Sequence, residues 1–357
     1  EFEGEWEEKQ LGNIIKVNSG KDYKHLDKGD IPVYGTGGYM TSVSEPLSEI
    51  DAVGIGRKGT INKPYLLEAP FWTVDTLFYC TPKKETDILF ILSLFRKINW
   101  KVYDESTGVP SLSKQTINKI NRFVPTNKEQ QKIGKFFSKL DRQIELEEQK
   151  LELLQQQKKG YMQKIFSQEL RFKDENGNDY PDWTNERLGE VTTVTMGQSP
   201  KSVNYTDNSN DTVLIQGNAD IENGLINPRI YTREVTKLIQ KDEIILTVRA
   251  PVGKLAMAQI NACIGRGVCS IKGDKFLYYF LEWFATQNKW IRFSQGSTFE
   301  SISGNDIRNI HIKIPVEDER TKIIKLLNSL DVLNSKTDLK IQNLKQRKQS
   351  LLQKIFV

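Results

Sequence analysis

Apolar side chains recur at alternating steps of four and three residues in two long stretches, from Ile133 to Ile165 and from Ile323 to Ile355. At least seven of the ten such positions are apolar in each stretch. A 3.5-residue repeat sustained over more than four heptads is typical of a coiled coil. The sequence therefore predicts two long helices with these seam positions: Ile133, Phe137, Leu140, Leu151, Leu154, Lys158, Ile323, Leu327, Leu330, Ile341, Leu344 and Lys348.

The two helical stretches belong to an internal repeat. Residues 111–166 align on residues 301–356 at a constant offset of 190 without a gap, with 19 identities in 56 positions. Both copies end in Gln-Lys-Ile-Phe, and a proline (Pro125 or Pro315) stands just ahead of each helix, where it is tolerated. Each helix could simply be buried against its own domain. Two copies of one heptad pattern favour the other interpretation, in which each seam packs against the other.

The segments before the helices are related more loosely. "WEEKQLGNI" at 6–14 resembles "WTNERLGEV" at 183–191, and "DAVGIGRKGTI" at 51–61 parallels "EIILTVRAPVGKL" at 243–255. An apolar helix candidate follows in each half. The short link after Phe166 predicts that the second domain lies at the far end of the first helix, so that the second helix runs back antiparallel.

The predicted fold class is α+β. It comprises two mixed α/β domains separated by two long helices that form an antiparallel coiled coil, with a pseudo-two-fold internal repeat. The predicted boundaries are residues 1–125 for the first domain, 126–170 for the first helix, 171–315 for the second domain and 316–357 for the second helix. Helix 126–170 is predicted to act as a spacer.

Each of the two domains is nearly neutral overall. The chain has a net charge of +5, but segments 1–125 and 171–315 carry only −1 and 0. Neither domain has the uniformly basic composition of a non-specific nucleic-acid binder, so a DNA contact must come from a local patch. Cys80, Cys263 and Cys269 show no metal-ligand spacing, and their odd number argues against a disulfide framework. A reducing, cytoplasmic location is expected. No membrane span or signal peptide is predicted.

The sequence predicts no catalytic residue, no metal site and no cofactor bound by this chain. There are only two histidines, His25 and His311. "VRAPVGKL" lacks the leading glycine and the hydroxyl residue of a phosphate-binding loop, and "YGTGGYM" fits a tight turn better than a dinucleotide fingerprint. "INPRIY" departs from the Asn-Pro-Pro-aromatic motif of adenine methyltransferases at the second proline.

Polar side chains suited to reading bases remain in the predicted loops. Arg and Lys can bind guanine, and Asn or Gln can pair with adenine through two hydrogen bonds. Arg57 and Arg249 stand out because each follows a β-run and precedes a glycine, although a single such arginine more often covers apolar surface. The candidate DNA-binding residues are Lys21, Tyr23, Tyr34, Thr36, Arg57, Lys58, Lys63, Thr107, Gln198, Lys201, Tyr205, Gln216, Asn218, Arg249, Lys254, Arg266, Ser297 and Thr298.

The whole layout resembles the specificity subunit of Type I restriction-modification systems. Two features carry the resemblance. The first is the order of a domain and a heptad helix ending "QKIF", which occurs twice, and the second is the presence of the stretches "LTVRAPVGKLA" and "IPVEDERTKI". The resemblance implies that the two mixed domains are target-recognition domains of a non-catalytic subunit. This subunit would read a bipartite, asymmetric DNA target and dock two methyltransferase subunits on its helices. S-adenosylmethionine, ATP and Mg would be bound by partner subunits, including a restriction subunit that translocates DNA.

Two other functions remain open from the sequence. The chain could be a structural adaptor in which a coiled coil presents two protein-binding domains. It could also be a self-sufficient DNA enzyme, which the missing motifs disfavour. Salt-dependent DNA retention with a co-purified methyltransferase separates the first alternative from a DNA reader. Transfer of a labelled methyl group by the pure chain would support the second.

Overall fold

A computed structural model of the chain describes residues 5–290 and 301–356. The chain divides into two compact units. The first comprises Glu1–Lys150 and Thr337–Val357, and the second comprises Leu151–Lys336. Each unit therefore contains a globular domain and one segment from each of two long helices.

The globular part of the first unit is β-rich. Its strands are β1 (Glu7–Gln10), β2 (Ile15–Ser19), β3 (Ile31–Gly35), β4 (Gly38–Val43), β5 (Ala52–Gly56), β6 (Tyr65–Leu67), β7 (Trp72–Thr73), β8 (Leu77–Pro82) and β9 (Asn121–Val124). Its helices are α1 (Leu11–Ile14), α2 (Ile88–Lys97), α3 (Lys114–Lys119) and the first part of α4 (Asn127–Phe166). One sheet has the order β2-β8-β5-β6 and another β4-β3-β7, while β1 pairs with β9. Every residue of β5 is buried, so this apolar strand is covered on both faces.

The second unit repeats the same plan with more strands. They are β10 (Thr184–Arg187), β11 (Val194–Met196), β12 (Tyr205–Thr206), β13 (Thr212–Ile215), β14 (Ile221–Glu222), β15 (Leu225–Ile226), β16 (Tyr231–Thr232), β17 (Leu238–Ile239), β18 (Ile244–Thr247), β19 (Leu255–Met257), β20 (Ala262–Ile264), β21 (Val268–Ile271) and β22 (His311–Ile314). Its helices are α5 (Leu188–Val191), α6 (Lys275–Thr286), α7 (Gly304–Arg308) and the first part of α8 (Glu317–Ile355). The orders are β11-β21-β18-β19-β15-β14 and β12-β16-β13-β20-β17, with β10 paired to β22.

Side-chain caps fix where the domain helices begin in both units. The Asp87 carboxylate accepts a hydrogen bond from the backbone N–H of Phe90 at the start of α2 (2.8 Å), and Asp274 does the same for α6. Ser113 and Ser303, which match at the offset of 190, cap α3 and α7. Each cap satisfies a backbone N–H that has no partner inside the helix. The repeat therefore extends from the sequence to the local hydrogen bonds that position the helices.

The repeated Gln-Lys-Ile-Phe ending inserts an aromatic ring into a domain core. In the first unit the ring centroid of Phe356 lies 5.5 Å from that of Phe90 and 6.0 Å from that of Trp6. In the second unit Phe166 lies 5.6 Å from Phe276. Both phenylalanines are buried. The ending therefore anchors the last turn of each long helix in a globular core.

Within each unit the two long-helix segments run antiparallel. In the first unit Asp141 pairs with Lys348, and Glu147 pairs with Lys340, so one residue number rises as the other falls. Lys158 and Asp331 pair in the second unit at 2.6 Å. The predicted fold class, with its two mixed domains, antiparallel helices and internal repeat, is confirmed.

The predicted seam residues divide by position along the helices. Ile133 and Phe137 pack into the core of the first domain, and Ile323 and Leu327 pack into that of the second. Leu140, Leu330, Ile341 and Lys158 are also buried, whereas Leu151, Leu154, Leu344 and Lys348 are only partly buried. Each helix is therefore buried partly against a domain and partly against the other helix. Both sequence interpretations hold, at different turns.

Candidate nucleic-acid interface

In the first unit, the chain leaves the central strand β5 at Arg57. The Arg57 N–H donates to the carbonyl of Thr76 (2.8 Å), and the Arg57 carbonyl accepts from the N–H of Leu112 (2.9 Å). The next residue, Lys58, forms an isolated β-bridge with Ser111. These bonds hold the strand end against the loop that leads into α3.

In the second unit, the chain leaves β18 in the same way. The Val248 N–H donates to the carbonyl of Gly267 (2.9 Å), and the Val248 carbonyl accepts from Ile302 (2.9 Å). Arg249 then forms an isolated β-bridge with Ser301. Every bond described for the first unit has its counterpart here.

These hydrogen bonds correct one sequence-based correspondence. Leu112 and Ser111 match Ile302 and Ser301 in the repeat, so Arg57 is level with Val248, and Lys58 is level with Arg249. The sequence pairing of Arg57 with Arg249 is therefore wrong by one residue. The physical reason is that side chains alternate between the two faces of an extended strand, so a shift of one residue changes the face on which a side chain lies. The sequence does not show where each strand ends, so counting residues from that end cannot fix the register. Lys58 and Arg249 are the equivalent cations.

A cavity of about 630 Å³ opens at this strand end in the second unit. Arg249 and Arg266 line it, together with Ser301 and Ser303. Both arginines are exposed, and within residues 5–290 and 301–356 neither forms an ion pair. The described residues that line it include no carboxylate. A cavity with two guanidinium groups and two hydroxyls is suited to acceptor-rich ligands such as guanine edges or phosphates.

Three loops meet beside Arg266. The Gln198 N–H donates to the Ile264 carbonyl (2.9 Å), and the Arg266 N–H donates to the Ser199 hydroxyl (3.1 Å). A Cβ on Gly267 would lie 1.9 Å from the Gln216 carbonyl oxygen, so only glycine permits this approach. The structure therefore brings together Gln198, Gln216 and Arg266, which are 68 residues apart or fewer in the sequence.

Other candidates in the second unit have local structural contacts. The Lys254 ammonium donates to the carbonyls of Asn218 (3.2 Å) and Ile221 (2.6 Å), so two of its three donors serve the fold. The Lys201 N–H donates to the Glu234 carboxylate (3.0 Å), and Tyr205 lies half-buried in β12. The Glu234 pKa is lowered, mainly by the hydrogen bond from the Lys201 backbone. Ser297 and Thr298 lie outside the described residues.

In the first unit, Lys58 and Thr107 lie near a loop organised by Asp104. One Asp104 carboxylate oxygen accepts from the backbone N–H groups of Ser111 (2.9 Å) and Ser106 (3.0 Å) and from the Ser106 hydroxyl (2.8 Å). These bonds lower the pKa of Asp104, the Ser111 bond having the largest effect. Lys58 and Thr107 are exposed. The loop is fixed without using either side chain.

The remaining first-unit candidates differ in how much of their side chain is available. The Arg57 guanidinium lies over the Phe78 ring (5.9 Å to its centroid) and donates to the Asp75 carbonyl (3.4 Å). Tyr34 and Tyr23 pack against two small apolar clusters. Lys21 and Lys63 are exposed, and Thr36 is half-buried in the turn after β3. Arg57 is therefore the more anchored of the two neighbouring cations.

Sequence reasoning missed the two hydroxyl-bearing residues of the cavity. Ser301 and Ser303 line it with Arg249. The signal that could have found them was present, because they match Ser111 and Ser113 at the offset of 190. Ser303 also caps α7 with its hydroxyl, so only Ser301 has a side chain without a capping bond.

Three further features of the described residues complete the description of the chain. Across residues 5–290 and 301–356, no three His, Cys, Asp or Glu side chains come together as a metal site. No helix in the same part of the chain is long and apolar enough to cross a membrane. All three cysteines are buried as free thiols, and burial raises the pKa of Cys269 to about 12.

Comparison with known proteins places the chain among related sequences. Residues 3–156 and 180–346 match the family described as the Type I restriction modification DNA specificity domain. The chain is 30% identical over 261 residues to a protein of Methanocaldococcus jannaschii named as the MjaX type I restriction enzyme specificity subunit. That match covers 69% of this chain and 61% of the relative. The MjaVIII specificity subunit of the same organism is 25% identical over 312 residues, covering 80% of this chain and 71% of the relative.

Two solved structures share the fold. The S subunit of a Type I restriction-modification system from M. genitalium matches with a TM-score of 0.70 at 16% identity, covering 99% of this chain and 96% of that one. A chain from a structure described as showing complex assembly and conformational transition of the type I R-M system matches with a TM-score of 0.61 at 19% identity, covering 99% and 97%. With two family matches that follow the internal repeat, the chain belongs to the family of Type I restriction-modification DNA specificity domains.

Proposed function

We propose that this chain is the DNA sequence-recognition subunit of a Type I restriction-modification complex. Each globular domain reads one part of a split, asymmetric target in double-stranded DNA. The chain itself performs no catalysis. Two methyltransferase subunits dock on its long helices and bring the restriction and translocase subunits to the same site.

The observation that carries the proposal is the cavity lined by Arg249 and Arg266 at the end of β18. Arg can address the O6 and N7 atoms of guanine through two hydrogen bonds. Gln216 and Gln198 lie on the loops beside Arg266, and an amide side chain can pair with adenine in the same way. The site therefore supports base reading in the major groove.

The near-neutral charge of the two domains agrees with a reader held on DNA by partners. Phosphate contacts position a protein on the duplex, while base contacts specify the sequence. Partner subunits can supply much of the first kind. We assign S-adenosylmethionine, ATP and Mg to those partners, and place the complex in the cytoplasm.

Retention of duplex DNA by the chain co-purified with its methyltransferase tests this function. Arg249→Ala and Arg266→Ala should each weaken binding to target DNA by about 5-fold to 150-fold, since a lost bidentate base contact is worth about 1–3 kcal/mol. Binding to DNA without the target should change much less. The affinity of the unaltered complex should fall with rising salt.

Arg233→Ala is the matched control. Arg233 is an exposed arginine of the second domain that pairs with Asp211 at 3.7 Å, and it is not among the residues that line the cavity. Its replacement should leave target binding unchanged. If all three variants bind alike, or if DNA is not retained at any salt concentration, the cavity is not a base-reading site, and the adaptor alternative gains support.

A further inference from the structure

In the second unit, Arg266 stands in a tight turn between β20 and β21. The Val268 N–H donates to the Gly265 carbonyl (3.2 Å) and closes the turn. The Gly265 N–H donates to the Ile215 carbonyl at the end of β13 (2.7 Å) and ties the turn to the neighbouring strand. Backbone hydrogen bonds therefore fix the place of Arg266 in the domain.

The first unit has the same turn between β7 and β8, with Asp75 in the place of Arg266. The Leu77 N–H donates to the Val74 carbonyl (3.0 Å) and closes the turn. The Val74 N–H donates to the Tyr34 carbonyl in β3 (3.0 Å), so this turn is also tied to a neighbouring strand.

Backbone bonds from two further segments give the same register. In each unit one bond reaches the carbonyl of the residue after Asp75 or Arg266, and another reaches the carbonyl two residues before it. These four N–H to carbonyl bonds, all 2.8–2.9 Å long, are Arg57 to Thr76 and Lys21 to Thr73 in the first unit, and Val248 to Gly267 and Gln198 to Ile264 in the second. Asp75 is therefore the structural counterpart of Arg266, although the local sequences Val-Asp-Thr and Gly-Arg-Gly differ.

The strand end thus changes its chemical character between the two units. In the second unit Arg249 and Arg266 line one cavity. Their counterparts in the first unit are Lys58 and Asp75, and both are exposed. The Lys58 N–H donates to the carbonyl of Thr76 (3.3 Å), so the cation and the carboxylate stand on adjoining segments. The first domain presents a hydrogen-bond acceptor where the second presents a donor.

The carboxylate of Asp75 is not needed to build its turn. The turn is closed and anchored by backbone groups, and the Asp75 carbonyl accepts from the Arg57 guanidinium at 3.4 Å. Asp75 itself is exposed. Its side chain can therefore contact a ligand without disturbing the fold.

An ionised carboxylate only accepts hydrogen bonds, and this limits the bases that it can read. In the major groove cytosine presents its N4 amino group, whereas guanine presents the acceptors N7 and O6, and thymine presents the acceptor O4. Adenine also has an amino group, but its N7 acceptor lies beside that group and disfavours a carboxylate. A carboxylate therefore selects cytosine, and an arginine at the same place selects guanine.

We infer that Asp75 is a specificity-determining residue of the first domain and accepts a hydrogen bond from N4 of a cytosine in the first half-site. Arg266 reads a guanine from the equivalent place in the second domain. The inference rests on the proposed function, because it requires both strand ends to face DNA. One structural position then carries opposite hydrogen-bonding roles in the two domains.

The experiment maps methylated adenines in DNA from cells that carry the chain and its methyltransferase. Asp75→Ala should relax one C·G pair of one half-site to any base pair and leave the other half-site unchanged. Binding of the co-purified complex to synthetic duplexes measures the size of the effect. Replacing that C·G pair should weaken binding of the unaltered complex about tenfold or more, and binding of the Asp75→Ala complex less than about twofold, because the charged hydrogen bond is already lost.

Asp30→Ala is the matched control. Asp30 is an exposed aspartate just before β3, at the opposite end of that strand from Tyr34. This variant should keep the motif of the unaltered complex and its discrimination at the C·G pair.

The unaltered complex gives a check that does not depend on the folding of any variant, because both of its half-sites must contain a C·G pair. A half-site made only of A·T pairs overturns the inference. A split motif that Asp75→Ala keeps in full, or relaxes at an A·T pair, overturns the inference and leaves the proposed function standing. If the unaltered complex methylates no split target, the proposed function fails and the role of Asp75 fails with it.

Discussion

The two units carry the same lysine–aspartate ion pair between their long-helix segments. The domain adds a cation beside this pair in the first unit and a carboxylate in the second. Lys348 pairs with Asp141 in the first unit, and Lys158 pairs with Asp331 in the second. Lys158 matches Lys348, and Asp141 matches Asp331, at the offset of 190. The pair is therefore repeated in structure as well as in sequence.

The third charged group comes from the domain and differs between the units. In the first unit Arg96 of α2 also binds Asp141, so two cations face one carboxylate. In the second unit Glu282 of α6 binds Lys158 at 2.7 Å, so two carboxylates face one cation. Tyr279 donates its hydroxyl to Asp331 (2.7 Å), which stabilises the ionised carboxylate. The repeat has kept the contact between helices while the domain partners have diverged.

Replacing the central lysine should separate the two clusters most strongly. Lys158→Met leaves Glu282 and Asp331 facing each other without a cation. Because both carboxylates are about one-third exposed, the loss of unfolding free energy should be about 2–3 kcal/mol, below the cost for a fully buried pair. Lys348→Met leaves Asp141 still bound to Arg96, so this carboxylate keeps a partner and the loss should be about 1 kcal/mol. Urea unfolding of the two variants measures the difference.

Methionine keeps most of the length and apolar stem of lysine, so the comparison isolates the charge. The double variant Lys158→Met with Glu282→Gln should recover part of the loss, because one of the two repelling carboxylates is then neutral. Equal costs for Lys158→Met and Lys348→Met would show that the third charged group has no influence.

A smaller effect on the free energy of unfolding is expected where α4 packs against the start of α2. Gly134 and Ile324 match at the offset of 190. A Cβ on Gly134 would lie 2.7 Å from the backbone nitrogen of Phe90, so Gly134→Ala should destabilise the first unit by about 1–3 kcal/mol through overcrowding.

The exposed glycine of the same helix provides the control. No atom lies within 4 Å of a Cβ placed on Gly160, so Gly160→Ala should stabilise α4 by about 0.5–1 kcal/mol. Urea unfolding should therefore show opposite signs for two identical substitutions. The same sign for both would contradict the close approach of α4 to the start of α2.

The weakest expected effect is a pH dependence of opposite sign in the two clusters. Burial, which outweighs the attraction of Lys158, raises the pKa of Glu282. Folded protein therefore holds this proton more tightly than unfolded protein, and stability falls as pH rises from the ordinary glutamate value through the raised one. Burial lowers the pKa of Lys348, so stability rises with pH across the alkaline window between its lowered and ordinary values.

Urea unfolding at a series of pH values checks both slopes. Glu282→Gln should remove the falling limb on the acidic side and leave the alkaline limb unchanged. Lys348→Met should do the reverse. A variant that alters both limbs, or neither, would contradict the assignment of each slope to its cluster.

The sequence predicted the helices and the repeat well because these follow from short-range patterns. Heptad spacing indicated α4 and α8, and the gap-free offset alone aligns Asp141 with Asp331 and Lys158 with Lys348. A heptad repeat keeps its register over many residues, so an error of a few residues in a predicted helix end does not change which residues lie in the seam.

The partners of those residues could not be predicted, because they come from strands and helices far away in the sequence. Arg96 reaches Asp141 across 45 residues, and Glu282 reaches Lys158 across 124. The equivalence of Lys58 and Arg249 in the two units follows from backbone hydrogen bonds to the loops at 111–112 and 301–302. Aligning "RKG" with "RAPVG" in the sequence instead matches Arg57 with Arg249, which is one residue away from the structural register.

We propose that two diverged domains on a repeated helix scaffold read two different half-sites. Mapping methylated adenines in DNA from cells that carry this chain and its methyltransferase tests it most directly. We expect two different short sequences separated by bases of no fixed identity, and Arg249→Ala should relax the specificity of only one of them. A palindromic, uninterrupted motif, or an Arg249→Ala motif changed in both parts, would contradict it.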